Sequence, residues 1–117
     1  MSCRAARGAV TAENTRESIL EATEEMLSGI MEKNDITKDD IISVTFSCTA
    51  DLTAVYPAVA ARAMGITDAA LFCVSEMNVT DSLEKCVRAM VLFEKNIPQN
   101  AVKHAYLRGA AHLRPDL

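Results

Sequence analysis

Between residues 14 and 33 apolar side chains return every three, four and seven positions. Ile19, Ala22, Met26 and Ile30 make one row and Leu20, Leu27 and Met31 another, while Glu17, Glu21, Glu24, Glu25 and Glu32 fill the rest. That is the pattern of a helix with one wet face. Asn14 stands where a side-chain oxygen caps the first turn, Glu17 completes a capping-box-like pair, and Asn34 with Asp35 ends the helix. Residues 41 to 49 alternate instead, with Ile42, Val44, Phe46 and Cys48 on one side and Ser43, Thr45 and Ser47 on the other, which predicts a strand. Residues 3 to 10 read as a first strand and residues 69 to 75 as a more continuously apolar one. Thr37 to Asp40 form a cap-and-turn, and Pro57 opens a short alanine-rich helical or 3₁₀ piece closed by Gly65. Pro98 and Asn100 mark a turn before a last strand over residues 104 to 113, with Ala105, Leu107, Ala111 and Leu113 on one face.

Residues 82 to 94 fit two periods. Leu83, Cys86, Val87, Met90 and Val91 have helical spacing, and periodicity alone favours a helix; yet Val87, Ala89, Val91 and Phe93 also alternate against Cys86, Arg88, Met90 and Leu92. The elements add up to an α/β (α+β) chain, a five-stranded mixed sheet with one long helix and a short helical piece, in a single domain over residues 1–117. One helix covers one face of such a sheet. Because several strands are apolar on both sides, a second copy of the chain is expected to bury the other face.

The net charge of −4 hides an asymmetry. Nine of the sixteen acids lie between Glu13 and Asp40 against three cations, so that stretch carries −6 and the remainder +2. No basic block is dense enough for nucleic acid, and two Tyr, three Phe and no Trp offer little to stack on bases. No run of ~18 apolar residues predicts a membrane span, and the first residues lack the apolar core of a signal peptide. These features suggest a cytoplasmic protein. Cys3, Cys48, Cys73 and Cys86 are widely spaced without a Cys-x-x-Cys pair, consistent with free thiols, Cys48 and Cys86 serving as small core hydrophobes.

Arg88 lies in the run Cys86-Val87-Arg88-Ala89-Met90, a permanent cation among apolar neighbours. A guanidinium held there needs an anion, and no acid nearby in sequence supplies one unless the segment is helical. Arg7, Arg62 and Arg114 sit in similar surroundings. Each alone reads as a stem on apolar surface with its head in water; four in one small acidic chain point to a small polyanion. The strand end Leu71-Phe72-Cys73-Val74-Ser75-Glu76 adds a thiol and a carboxylate. His104 and His112 lack metal-ligand spacing, so neither a metal nor a cofactor is expected.

Five segments, in order, resemble the AroH-type monofunctional chorismate mutases: Arg4-Ala5-Ala6-Arg7-Gly8-Ala9; Ala50-Asp51-Leu52-Thr53-Ala54-Val55-Tyr56-Pro57-Ala58; Glu76-Met77-Asn78-Val79-Thr80; Lys85-Cys86-Val87-Arg88; and His104-Ala105-Tyr106-Leu107 with Leu113-Arg114-Pro115-Asp116-Leu117. The resemblance implies a homotrimer shaped as a pseudo-α/β-barrel with active sites between subunits, and it implies a strand, not a helix, over residues 82 to 94. It implies a Claisen rearrangement of chorismate to prephenate in the biosynthesis of phenylalanine and tyrosine. Arg88 would stabilise charge on the ether oxygen, Arg7 and Tyr106 would hold a carboxylate, and Glu76 and Cys73 would meet the ring hydroxyl. Tyr56, Ala58 and Arg62 would come from a neighbouring subunit, and Arg114 would lie near the cleft mouth. Val59 departs from the lysine common in the family, leaving Arg62 to attract the dianion, and the tail after Leu117 of some relatives is missing, which implies weaker closure. A trimeric imine-deaminating hydrolase, with Glu76 activating water, and a dicarboxylate-binding regulator are the rival readings.

Overall fold

The computed structural model of the chain describes residues 2–113. It contains β1 (Cys3–Thr11), α1 (Arg16–Asn34), β2 (Ile41–Cys48), α2 (Ala58–Ala63), β3 (Ala70–Ser75), β4 (Cys86–Glu94) and β5 (Ala105–Leu107), with 3₁₀ turns at Lys38–Asp40, Gln99–Ala101 and Arg108–Ala110. The strands form one mixed sheet in the order β3-β2-β4-β1-β5. β4 runs antiparallel to both β1 and β2, whereas β3 is parallel to β2 and β5 to β1.

The segment with two periods is therefore a strand, against its helical spacing. Its backbone is satisfied from both sides, since Cys86 to Glu94 pairs residue by residue with β1 and is flanked by β2. Pairing with strands ~40 and ~80 residues away outweighs a local preference, as long-range context commonly does.

Helix α1 lies on one face and packs Ile19, Ala22, Met26, Leu27 and Ile30 against Ala6, Val10, Val44, Phe46, Val87, Val91 and Phe93. The approach is close enough that a Cβ on Gly8 would lie 2.8 Å from Met26 Cγ and 2.9 Å from Ile30 Cδ1, so only glycine fits there without displacement. The helix begins one residue later than expected. Thr15, not Asn14, is the N-cap, its hydroxyl accepting from the Ser18 amide at 3.1 Å. Asp35 in the left-handed region (φ 51°) ends the helix as anticipated, and its amide returns to the Glu32 and Met31 carbonyls. Asn34, buried, ties the helix end to the approach of β5: its Nδ2 donates to the Ile30 and Lys103 carbonyls and its Oδ1 accepts from the Lys103 amide.

Two expectations about faces fail for local reasons. A bulge between Ile41 and Ser43 turns Ile41 inward to meet Phe93 and leaves Ile42 exposed, so Ile42 does not share the face of Val44 and Phe46. The last strand does not reach Leu113 but stops at Leu107, because Arg108 turns into the left-handed region (φ 54°) and its guanidinium pairs with Glu25 (2.8 Å) and Glu21 (3.6 Å) on α1. The turn that follows brings Ala110 onto Ala9 and Cys86 as a second small apolar cluster.

Among the described residues no helix covers the other face of the sheet. Phe72, Val74 and Met90 are exposed on it at 66%, 42% and 40%, an apolar surface of the kind that marks an interface.

Candidate active site

Register places the chemistry on that open face. Residues directly opposite in adjacent strands share a face, and the pairings set Tyr106, Ala9, Arg88, Ser47 and Val74 in one row across all five strands. The next row holds Arg7, Met90, Thr45 and Phe72. Arg7 and Arg88 are thus diagonal neighbours on a single surface, two cations side by side.

Glu76 follows β3 directly. Its amide donates to the Cys48 carbonyl at 3.0 Å, which carries the strand pairing one residue further and swings the carboxylate over the row. Glu76 Oε2 lies 2.8 Å from Arg88 Nε and accepts from Ser47 Oγ at 3.1 Å, and Oε1 accepts from the Met77 amide at 3.3 Å. The Arg88 Nε is itself buried, and it meets the carboxylate as an ion pair without the in-line geometry of a hydrogen bond. The pair is half-buried, with side chains 42% and 24% exposed. Among the described residues no other carboxylate pairs with Arg88, and Arg7 has no ion pair. The Arg7 backbone is fixed from β5's side, its amide donating to His104 Nδ1 at 2.8 Å.

Arg7, Ser47, Glu76, Arg88 and Tyr106 together line a cleft of about 330 Å³. Tyr56 and Cys73 line a second, larger cavity of about 750 Å³ that shares Val74 and Ser75 with the first. Cys73 is paired with Phe46 and packs half-buried toward the helix side, on the opposite pleat from Arg88. Tyr56 stands 71% exposed on the loop before α2, Ala58 is buried in the core, and Arg62 is exposed on α2 and lines neither cavity. Arg114 lies outside the described residues. One chain therefore gathers Arg7, Glu76, Arg88 and Tyr106 but not Ala58 or Arg62. Ser47 was missed as a site residue, although its place in the polar phase of β2 put it on the open face.

The thiols are quiet. Burial pushes the Cys48 thiol up to about 11, with Cys73, Cys86 and Glu76 adding in the same direction. Cys86 is raised too, mainly by burial, with Arg88 and the Val10 backbone working against it. Neither behaves as an activated nucleophile. No group of three or more metal-ligating side chains occurs among the described residues. What the cleft offers is fixed positive charge, one carboxylate acceptor and a phenol hydroxyl, which suits binding and electrostatic stabilisation of a small anion.

The family model described as chorismate mutase type I matches residues 3–117. The chain is 40% identical to the chorismate mutase AroH of Bacillus subtilis (strain 168), over 100% of this chain and 94% of the relative. It is 41% identical to the chorismate mutase AroH of Thermus thermophilus, over 97% and 95%. A solved chorismate mutase from Clostridium thermocellum superposes with a TM-score of 0.89 at 46% identity, covering 91% of this chain and 96% of the other.

Proposed function

The chain belongs to the type I chorismate mutase family, and from that premise we propose that its Arg88 cleft rearranges chorismate to prephenate. The Arg88–Glu76 pair in the cleft carries the reading. In this reaction an ether carbon–oxygen bond breaks while a carbon–carbon bond forms within the same molecule. No proton leaves, and no covalent intermediate or electron acceptor is required. The barrier falls if the flexible dicarboxylate is held in its folded reactive shape and if charge developing on the ether oxygen meets a fixed cation.

Arg88 fits that second task. Glu76 grips Nε, so the rest of the planar guanidinium is oriented before substrate arrives and costs little to reorganise. Glu76 has a second role as acceptor for the ring hydroxyl, with Ser47 holding its carboxylate in place. Arg7, without an ion pair among the described residues and beside Arg88, holds a substrate carboxylate together with the Tyr106 hydroxyl. Cys73 contributes from the adjoining cavity.

The enzyme works as a homotrimer in this reading. Arg62 lines neither cavity of its own chain, and the exposed Phe72, Val74 and Met90 lie beside the cleft, so a neighbouring copy both covers the apolar surface and delivers Tyr56, Ala58 and Arg62. The protein acts in the cytoplasm; among the described residues no helix is long and apolar enough to cross a membrane.

Purified protein mixed with chorismate is expected to deplete it, followed in the ultraviolet, far faster than buffer does. Depletion at the buffer rate would overturn the mutase reading and favour a dicarboxylate binder. Light scattering is expected to give three times the 12.7 kDa chain mass; an active monomer would remove the shared site.

A further inference from the structure

We propose that Asn14 is a positioning residue that locks the loop carrying Tyr56 into the shape the site needs, an inference that rests on the mutase reading for its catalytic consequence. Thr15 already caps α1, so the Asn14 carboxamide is free for another task. It reaches across to the loop between β2 and α2. Its Oδ1 accepts from the Thr53 amide at 2.8 Å and from the Ala54 amide at 3.1 Å, and its Nδ2 donates to Thr53 Oγ1 at 3.1 Å. Two amide donors converging on one atom require that atom to be the oxygen, which settles the orientation of the side chain.

The loop is pinned at both ends: Thr49 and Asp51 bond each other and accept from the Cys86 and Lys85 amides, Leu52 is buried, and beyond them Val55 packs against the core and Pro57 is buried. Between these anchors Thr53 and Ala54 are exposed and the Asn14 carboxamide bonds both of their amides, while Tyr56 is 71% exposed. The exposed Tyr56 ring has little of its own chain to rest on, and the segment that Asn14 holds ends two residues before it, at Ala54. Thr53, Ala54, Val55 and Tyr56 line the larger cavity together with Cys73 and Val74, and in the proposed trimer this same loop is the wall the chain presents to its neighbour's cleft. A loop ordered in advance spares the substrate the entropy of ordering it, and a displaced wall misplaces the reacting molecule.

Asn14→Ala is expected to lower kcat/KM by about tenfold, the order of loss that misplacement of a binding element produces, and to speed amide exchange at residues 53–57 while α1 stays protected. Asn14→Asp keeps an acceptor for both amides and is expected to restore most of the activity and the protection. Thr15→Ala, which removes the cap, is the contrasting case: it is expected to lower the melting temperature with kcat/KM of the folded enzyme retained. Wild-type kcat/KM in Asn14→Ala, unchanged exchange at 53–57, or failure of Asn14→Asp to restore either would overturn the proposal. The exchange measurement reads the lock without substrate, so its outcome is separate from whether the wild-type protein turns over chorismate.

Discussion

Arg88 Nε and Glu76 Oε2 lie 2.8 Å apart although twelve positions separate the residues in the chain. The contact exists because β3 is parallel to β2 while β4 is antiparallel to it, which brings the residue just past β3 beside the third residue of β4. It sets both the charge of the cleft and the direction of the guanidinium.

Arg88→Lys retains a cation but loses the planar fork. Turnover is expected to fall by about 10²–10³, the range for loss of a transition-state donor, while the melting temperature changes little because the site is half-open. Steady-state assays beside thermal unfolding check this, and near-normal turnover would place the essential cation elsewhere.

Glu76→Gln keeps the shape and the Ser47 contact but removes the anion from Arg88. Stability is expected to shift by under ~1 kcal/mol, since a half-exposed ion pair is worth little. Activity is expected to drop by about 10², the low end of the loss for one preorganised electrostatic contact. Combined with Arg88→Lys the losses should be less than multiplicative, because both residues act through one contact.

Alkaline pH should weaken the fold through its thiols. Cys48 holds its proton up to about 11 in the folded chain against an ordinary 9.0, so above about 9 the unfolded chain sheds a proton that the folded one keeps. The stabilisation is complete below that point and lost as pH rises toward 11. Partial exposure reduces the effect to the order of 1 kcal/mol. Urea unfolding under reductant at pH 8 and 11 should show a smaller fall for Cys48→Ala than for the wild type; equal falls would contradict it.

Asn34→Ala leaves the Lys103 amide and carbonyl, part-buried, without the Asn34 side chain that bonds them at 2.9 and 2.8 Å. The cost is expected to be about 2–3 kcal/mol of stability from unsatisfied polar groups, read as a lowered unfolding midpoint. Because this clamp precedes β5, Tyr106 should loosen with it and KM should rise.

Much of this was legible in the chain because the relevant signals are local. The acidic and apolar rows of α1, the alternation of β2, the proline-to-glycine frame of α2 and the reversal at Asp35 each depend on neighbours a few residues apart. Arg88 stood out for the same reason, a charge among apolar residues. Where local preference met a distant partner, the partner prevailed: residues 86 to 94 carry helical spacing yet form a strand between β1 and β2. Likewise the Arg108 ion pair with α1 cut short a strand whose alternation continued to Leu113.

Residue order alone determined which groups were available: the arginines at 7, 62, 88 and 114, one strand-end carboxylate, a phenol and widely spaced thiols, with apolar residues in excess of what one helix covers. Only the tertiary structure decided which of them meet. It put Ser47 and Glu76 on Arg88, left Cys73 on the other pleat, and spent Asn14 on a loop some forty residues away instead of on its own helix. A strand shows its two faces in its own alternation, but which residues lie opposite one another across a sheet depends on register and strand order, and those follow from hydrogen bonds between segments that no local pattern pairs.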